Sequence, residues 1–311
     1  MFTDPVFILA LMSVSLLIVF WIVKVLSDTL TDRLQQTIYT LGFLSALLGI
    51  YRIFVNAGDL GIVLFLGSIM CLAILVAGMI KKNELLKTTG KGWFLPVFFI
   101  FVLRTFIYEP YQIPSGSMIP GLQVGDFILV NKHSYGLKIN RIGKPFAMAS
   151  DPEYGDVVVF IPPHVNVPYI KRLIGKPGDT IGYLNKKIYV NGVPIEQELI
   201  SSTEEETFIK EVLKYSCANN DCNNSERTIR IVGGSASYLE EFSVPADHYF
   251  AMGDNRDNSL DSRIGQVQGG VGFVPYENLV GRADRVMFSS AGRSMLFFWT
   301  WRSDRFFKAI Q

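Results

Sequence analysis

Four long apolar stretches occupy the first third of this 311-residue chain, and they point to a membrane rather than to a water-soluble core. Residues 6–25 are apolar apart from two serines, Lys24 and the interface-favouring Trp21. Residues 38–55 are interrupted only by small polar residues, Tyr39, Tyr51 and Arg52, and residues 60–80 hold no charge at all. The fourth, 93–108, is shorter and carries Pro96 and Arg104. A helix needs about 20 residues to cross the hydrocarbon layer. Arg52, Arg104 and Tyr108 all lie close enough to the ends to reach the headgroups. The spacing therefore predicts four spans, at 6–25, 38–55, 60–80 and 93–108.

Loop charge predicts their orientation. Lys81, Lys82, Lys87 and Lys91 stand against the single Glu84 between the third and fourth stretches, so this loop belongs on the cytoplasmic side. The fourth span then delivers everything after Tyr108 to the far side. Counting back puts the 56–59 turn outside, the 26–37 loop inside and the N-terminus outside. A cleavable signal peptide fits residues 1–25 poorly, because a basic leading region and a small-residue cleavage site are both missing.

Residues 109–311 have ordinary soluble composition, with 21 Lys+Arg against 23 Asp+Glu. The whole chain balances 29 basic against 28 acidic residues, which gives no reason to expect a nucleic-acid partner. Short apolar runs at 127–131, 156–161, 169–174 and 285–288, bounded by Gly, Pro and Asp, read as strands. Residues 187–190, Asn191-Gly192 and 193–195 read as a hairpin with a two-residue turn. Only 208–215 has a helical look. The expected architecture is a mainly-β domain. A polar stretch at 201–241, rich in Glu and Asn, interrupts it and holds Cys217 and Cys222. On an oxidising side these two could close a small disulfide loop. The C-terminal stretch 295–311 mixes aromatic residues with Arg302, Arg305 and Lys308, which suits a segment lying at the membrane interface.

Metal and nucleotide chemistry find no support: no metal-ligand spacing or phosphate-binding glycine loop occurs, and His133, His164 and His248 are scattered. No cofactor is expected. Three clusters break the strand pattern instead. The first is Ile113-Pro114-Ser115-Gly116-Ser117-Met118-Ile119-Pro120-Gly121-Leu122, in which two prolines and two glycines forbid a regular helix. In the second, residues 169–179, Lys171 lies in an apolar strand where alternation sends it to the same face as Leu173. The third is the dense polar run Gly253-Asp254-Asn255-Arg256-Asp257-Asn258-Ser259-Leu260-Asp261-Ser262-Arg263. By residue type these offer a serine nucleophile and a lysine base. A free lysine is neutral in about one molecule in 2,500 at pH 7, but desolvation can lower its pKa by several units.

In this order, after a membrane span, the three clusters resemble those of bacterial type I signal peptidases. Gly125 to Lys132, Gly272-Phe273-Val274-Pro275 and Asn278-Leu279-Val280-Gly281-Arg282-Ala283 extend the resemblance, which covers about residues 104–287. The resemblance implies a serine–lysine peptidase domain over 109–311, with an inserted smaller β subdomain at about 180–248. It implies Ser117 as nucleophile, Lys171 as general base, and the Ser117 N–H with the Ser115 hydroxyl as oxyanion hole. Ser259 would orient the Lys171 amine, Asp261 and Arg263 would pair to hold their loop, Gly253 would permit close approach to the lysine, and Met118 would lie at the membrane-facing, substrate-binding edge. The implied substrates are secreted preproteins, cut after small residues at the −3 and −1 positions, at the bacterial inner membrane with the catalytic domain on the periplasmic side. Gly121, where the family commonly has Thr, and the Gln- and Gly-rich stretch 264–271 depart from the pattern. Two other readings use the same residues: a specialised pilin or conjugation-substrate peptidase, and a membrane-anchored assembly module with an inactive serine–lysine site.

Overall fold

A computed structural model of the chain describes residues 4–55, 60–138, 143–203, 205–213, 225–232, 240–291 and 298–310. The expected 56–59 turn and the Cys217–Cys222 pair lie outside these residues. The chain divides into two compact units, Met1–Thr105 and Phe106–Gln311.

The first unit is helical, with α1 (Pro5–Leu26), α2 (Asp32–Val55), α3 (Leu60–Ile80) and α4 (Glu84–Val102). Asp4 caps α1 by accepting from the Val6 N–H at 3.0 Å, and Pro5 occupies the first turn, where its missing N–H costs nothing. Arg52 pairs with Asp4 at 2.7 Å and so ties α2 to the start of α1. Glycine sets the approach of α3 to α4. A Cβ on Gly78 would stand 2.5 Å from the Lys87 nitrogen, and one on Gly90 2.5 Å from the Leu75 nitrogen. Such close packing is how helices associate where no hydrophobic drive separates them from their solvent.

Leu9, Leu16, Phe43, Trp93 and Phe99 are 62–66% exposed, an outward face that suits lipid and not water. Among the described residues three helical stretches are long and apolar enough to cross a membrane: Pro5–Leu26, Gly61–Ile80 and Glu84–Ile107. The second helix, which carries Asp32, Arg33 and Arg52, is not among them. The fourth stretch is longer than its apolar core suggested. Asn83 caps α4 by accepting from the Leu86 N–H at 3.1 Å, so the helix starts well before residue 93, and it runs on through a π-helical turn at Leu103–Ile107. Lysines, threonines and glycines in its opening turns hide this beginning in the sequence.

The second unit is built from β1 (Tyr108–Gln112), β2 (Asp126–Asn131), β3 (Val157–Phe160), β4 (Tyr169–Gly175), β5 (Thr180–Leu184), β6 (Lys187–Val190), β7 (Val193–Pro194), β8 (Glu196–Ser202), β9 (Glu206–Leu213), β10 (Ser225–Val232), β11 (Glu240–Ser243), β12 (His248–Met252), β13 (Val274–Pro275), β14 (Leu279–Ser289) and β15 (Lys308–Ala309). The main sheet runs β1-β2-β14-β3-β4-β12-β13, with β15 added on β14. Strands 180–243 do not join it. They form one sheet of order β11-β5-β6-β7 and another of order β10-β9-β8. The expected hairpin is present: Val190 pairs with Val193 around Asn191 and Gly192, both at positive φ, as a tight two-residue turn requires. Residues 208–213, with their helical look, lie instead in β9. That strand is hydrogen-bonded along both edges, and this pairing outweighs the weak helical preference of a Thr-, Phe-, Ile- and Val-containing segment.

The loop between β1 and β2 positions the nucleophile candidate. Its ends are pinned by the Ile113 N–H to the Asp126 carbonyl at 2.8 Å and the Gly125 N–H to the Ile113 carbonyl at 3.0 Å. Ile113, Met118 and Leu122 from the loop share one buried cluster with Val130, Val159, Ile170 and Val286 of the sheet. Met118 is only 1% exposed, which corrects its expected place at a membrane-facing edge: the loop needs an apolar anchor, and Met118 is part of it. The described part of the C-terminal stretch closes on the same region. Arg305, 3% exposed, donates to Asp126 at 2.8 Å and to the Gly121 carbonyl at 2.9 Å, while Trp299 and Phe307 stay 68% and 60% exposed. Gly125 has φ +91°, and a Cβ there would meet the Ser290 carbonyl oxygen at 2.0 Å. Gly125→Ala is therefore expected to destabilise the unit by roughly 2 kcal/mol or more, read as a lower Tm in thermal unfolding.

Candidate active site

Ser117 and Lys171 come from elements far apart in the main sheet. The loop after β1 carries the serine and β4 carries the lysine, with β2, β14 and β3 between them in strand order. Anchoring of the loop over the sheet closes that separation. The Lys171 amine and the Ser117 hydroxyl stand 2.7 Å apart, with the residues 4% and 8% exposed. When protonated, Nζ donates to Oγ. When neutral, it is placed to accept the serine proton.

Burial pushes the Lys171 amine down to about 8. Asp261 and Asp254 oppose that shift, while Arg263 adds to it. At that value about one amine in ten is neutral at pH 7, hundreds of times more than for a free lysine. A second buried lysine makes a useful contrast. Burial also lowers Lys138 to about 8, yet its Nζ is aimed at the backbone carbonyls of Leu279, Tyr276 and Glu277, at 2.8, 3.4 and 3.4 Å. Lys138 thus ties chain segments together, whereas Lys171 faces a hydroxyl.

The polar run after β12 wraps this pair. Asp261, fully buried, accepts from the Gly253 N–H at 3.0 Å and from two guanidinium nitrogens of Arg263, each at 2.8 Å. Gly253 permits a close approach to Ser259 and Ser117. A Cβ there would stand 2.2 Å from Ser259 Oγ and 2.5 Å from the Ser117 carbonyl oxygen. Ser259 is 8% exposed, and its hydroxyl has no hydrogen-bond partner among the described residues, so the expected bond to Lys171 is not formed. Ser115 is exposed on the same turn as Ser117. Gly121 makes only ordinary contacts, and its carbonyl accepts from Arg305. The stretch 264–271 folds into a compact 3-10 turn at Gln266–Gln268. None of the three histidines takes part, and among the described residues no cluster of His, Cys, Asp or Glu could hold a metal ion.

Several residues at the site were not singled out from the sequence. Arg172 donates to both carboxylate oxygens of Asp254, at 2.9 and 2.7 Å, and so ties the polar run to the strand of the lysine. Asn255 donates its N–H to the Ser117 carbonyl at 3.1 Å and its side-chain amide to the Gly116 carbonyl at 2.9 Å. Adjacency to Lys171 was the one available signal for Arg172. For Asn255 the sequence offered only membership of a dense polar run.

A buried amine facing a serine hydroxyl, on a mainly-β unit that follows apolar helices, sets a group able to take a proton beside one able to give it. Comparison with known proteins sharpens this. Residues 86–288 match the family model described as signal peptidase, peptidase S26. A signal peptidase I of Pseudomonas fluorescens is 40% identical over 231 residues, covering 72% of this chain and 80% of the relative. One from Pseudomonas aeruginosa is 42% identical over 219 residues, covering 68% and 75%. A solved signal peptidase I from Enterococcus faecalis matches at 27% identity and a TM-score of 0.25, covering 43% of this chain and 97% of that one. The chain belongs to the S26 signal peptidase family.

Removing the desolvated amine while keeping an apolar stem relieves the cost of its burial. Lys171→Met is therefore expected to unfold at a Tm no lower than that of the parent. Asp261→Ala, which strands Arg263 and the Gly253 N–H, is expected to lose about 3 kcal/mol. Thermal denaturation of the detergent-solubilised proteins measures both.

Proposed function

We propose that this chain is a membrane-anchored serine endopeptidase that removes N-terminal signal peptides from exported preproteins, with Ser117 as nucleophile and Lys171 as general base. The observation that carries the proposal is the 2.7 Å approach of a buried, pKa-lowered lysine to a serine hydroxyl, in a chain of the signal peptidase family. In the first step the neutral Lys171 amine takes the Ser117 proton as Oγ attacks the scissile carbonyl. The resulting oxyanion is held by the Ser117 N–H and the Ser115 hydroxyl. The ammonium then returns its proton to the leaving amine, leaving an ester on Ser117. Lys171 next activates the water that hydrolyses that ester. Asp261 and Arg263 support the loop over the amine through their bidentate pair.

The substrate would be cut after small residues at −3 and −1, because shallow apolar pockets exclude bulk. β1 ends the main sheet and leads straight into the Ser117 loop, which gives an extended peptide an open edge to join. The remaining parts of the reading concern topology and domains. The helical unit contributes four spans, α2 among them. Lys81, Lys82, Lys87 and Lys91 keep the α3–α4 loop cytoplasmic, and the β unit lies on the periplasmic side of the bacterial inner membrane. Residues 1–108 form the membrane module and 109–311 the peptidase domain. Within it, 180–248 is an inserted subdomain, and the C-terminal aromatics meet the membrane interface.

Cleavage of a preprotein by the detergent-solubilised chain is expected to fall about a thousandfold or more in Ser117→Ala and in Lys171→Ala. Parental cleavage at the same bond in either variant would overturn the assignment. Only the neutral amine acts as base, so kcat/KM should rise with pH through about 8 and level off above it. A profile flat across that value would remove Lys171 from the role. Single cysteines at Lys87 and Glu198 should be labelled by a membrane-impermeant reagent from opposite faces of the membrane, and labelling from the same face would reject the topology.

A further inference from the structure

The second sheet of the β unit reaches the nucleophile through buried charge. Gln197 on β8, Glu211 on β9 and Arg227 on β10 stand opposite one another in register, forming a single row across that sheet. The Glu211 carboxylate is fully buried, accepts from Gln197 at 3.0 Å, and accepts from Arg227 at 3.0 and 2.7 Å. Its last partner comes from the polar run at the active site: Arg256, 1% exposed, donates to Glu211 through both terminal guanidinium nitrogens. Burial alone would raise the Glu211 carboxyl. The Arg256 and Arg227 guanidiniums outweigh it and hold the group at about 2, so it stays charged across the neutral range.

Backbone bonds continue the same link. The Arg230 N–H of β10 donates to the Asp254 carbonyl at 2.9 Å, and the Arg256 N–H donates back to the Arg230 carbonyl at 2.9 Å. The edge of β10 thus grips residues 254 and 256 as a parallel strand would, and leaves Asn255 between them. That residue's N–H holds the Ser117 carbonyl. On the other side, the Arg256 carbonyl accepts from Arg263, the partner of Asp261. Three consecutive residues therefore tie three parts of the domain together. Asp254 joins the run to Arg172, next to the lysine. Asn255 joins it to the serine loop, and Arg256 joins it to the second sheet.

We infer that Glu211 is a positioning residue for Ser117, acting through Arg256 and the backbone of Asn255, and that the β8–β10 sheet serves as the scaffold of the nucleophile. The inference rests on Ser117 being the nucleophile. A buried charged cluster is poor evidence of stability, since an apolar replacement of similar volume often does as well. Its geometry, however, is directional: a bidentate guanidinium–carboxylate pair fixes the angle of approach where apolar packing does not. Small displacements of a reacting group cost rate rather than binding.

The test compares Ser117→Ala, Glu211→Gln and a neutral triple variant, Glu211→Leu with Arg227→Met and Arg256→Met, in the full-length detergent-solubilised protein. For each, kcat and KM on a preprotein are measured well below its Tm. Glu211→Gln is expected to lose roughly 10- to 100-fold in kcat with KM changed less than about twofold. The triple is expected to recover Tm but not kcat. A purely structural cluster would instead let kcat follow Tm, so a triple variant with both parental Tm and parental kcat overturns the inference. Parental kcat in a folded Glu211→Gln, with Ser117→Ala inactive, overturns the positioning role alone. Cleavage that survives Ser117→Ala overturns the reading of the site, and the inference with it. Failure of both Glu211 variants to fold assigns the cluster to stability and also overturns the inference.

Discussion

An amine sealed from water keeps its proton only if its surroundings replace the lost hydration, and much of the β unit is arranged so that this replacement stays incomplete. Among the described residues Lys171 has one polar neighbour at hydrogen-bond distance, the Ser117 hydroxyl, and it feels two carboxylates, Asp261 and Asp254. Each carboxylate is already committed to a guanidinium, Asp261 to Arg263 and Asp254 to Arg172. Their charge reaches the amine partly cancelled. The balance leaves the group near 8 rather than fully depressed, so a usable fraction is neutral at ordinary pH. A closer free carboxylate would restore the proton, and complete isolation would leave the amine without orientation.

Holding that balance requires precision from a loop that has no regular structure. The serine turn is fixed from below by Ile113, Met118 and Leu122 in the sheet's core, at its neck by Gly125, and from above by Asn255. Arg305 adds a further clamp on the Gly121 carbonyl from the C-terminal stretch. The helical unit obeys a different solvent. Many of its apolar side chains face outward, Gly78 and Gly90 face the neighbouring helix, and Asp4 and Arg52 find each other. That arrangement is sensible only where hydrocarbon takes the place of water.

Much of this was legible in the chain itself. Helices 1 and 3 followed from runs of apolar residues of membrane-crossing length, and helix 2 from a shorter apolar run whose charged start the sequence did not place in it. The Asn191-Gly192 turn followed from the positive φ both positions require. The family resemblance, carried by three motifs in order, agrees with the match over residues 86–288. Errors fell where a local pattern met a tertiary demand. Met118 was placed at an edge by the family resemblance alone, which carries no burial, and the residues it packs with, Val130, Val159 and Val286 among them, are distant in sequence. Residues 208–213 looked helical because strand pairing cannot be seen without register. Glu211 read as one acid among many in a polar stretch, since neither Arg227 opposite it nor Arg256 above it is close in sequence.

Sequence alone therefore determined which residues are apolar over membrane-crossing lengths, where turns must occur, and which motifs are present, because these properties reside in the side chains and their spacing. Only the tertiary structure decided that Ser117 meets Lys171, that the amine is dry, and that Glu211 belongs to the same assembly. Those outcomes depend on distances between segments separated by tens of residues. Desolvation, which sets the chemistry of the lysine, is a property of everything packed around it and is written in no single stretch of the chain.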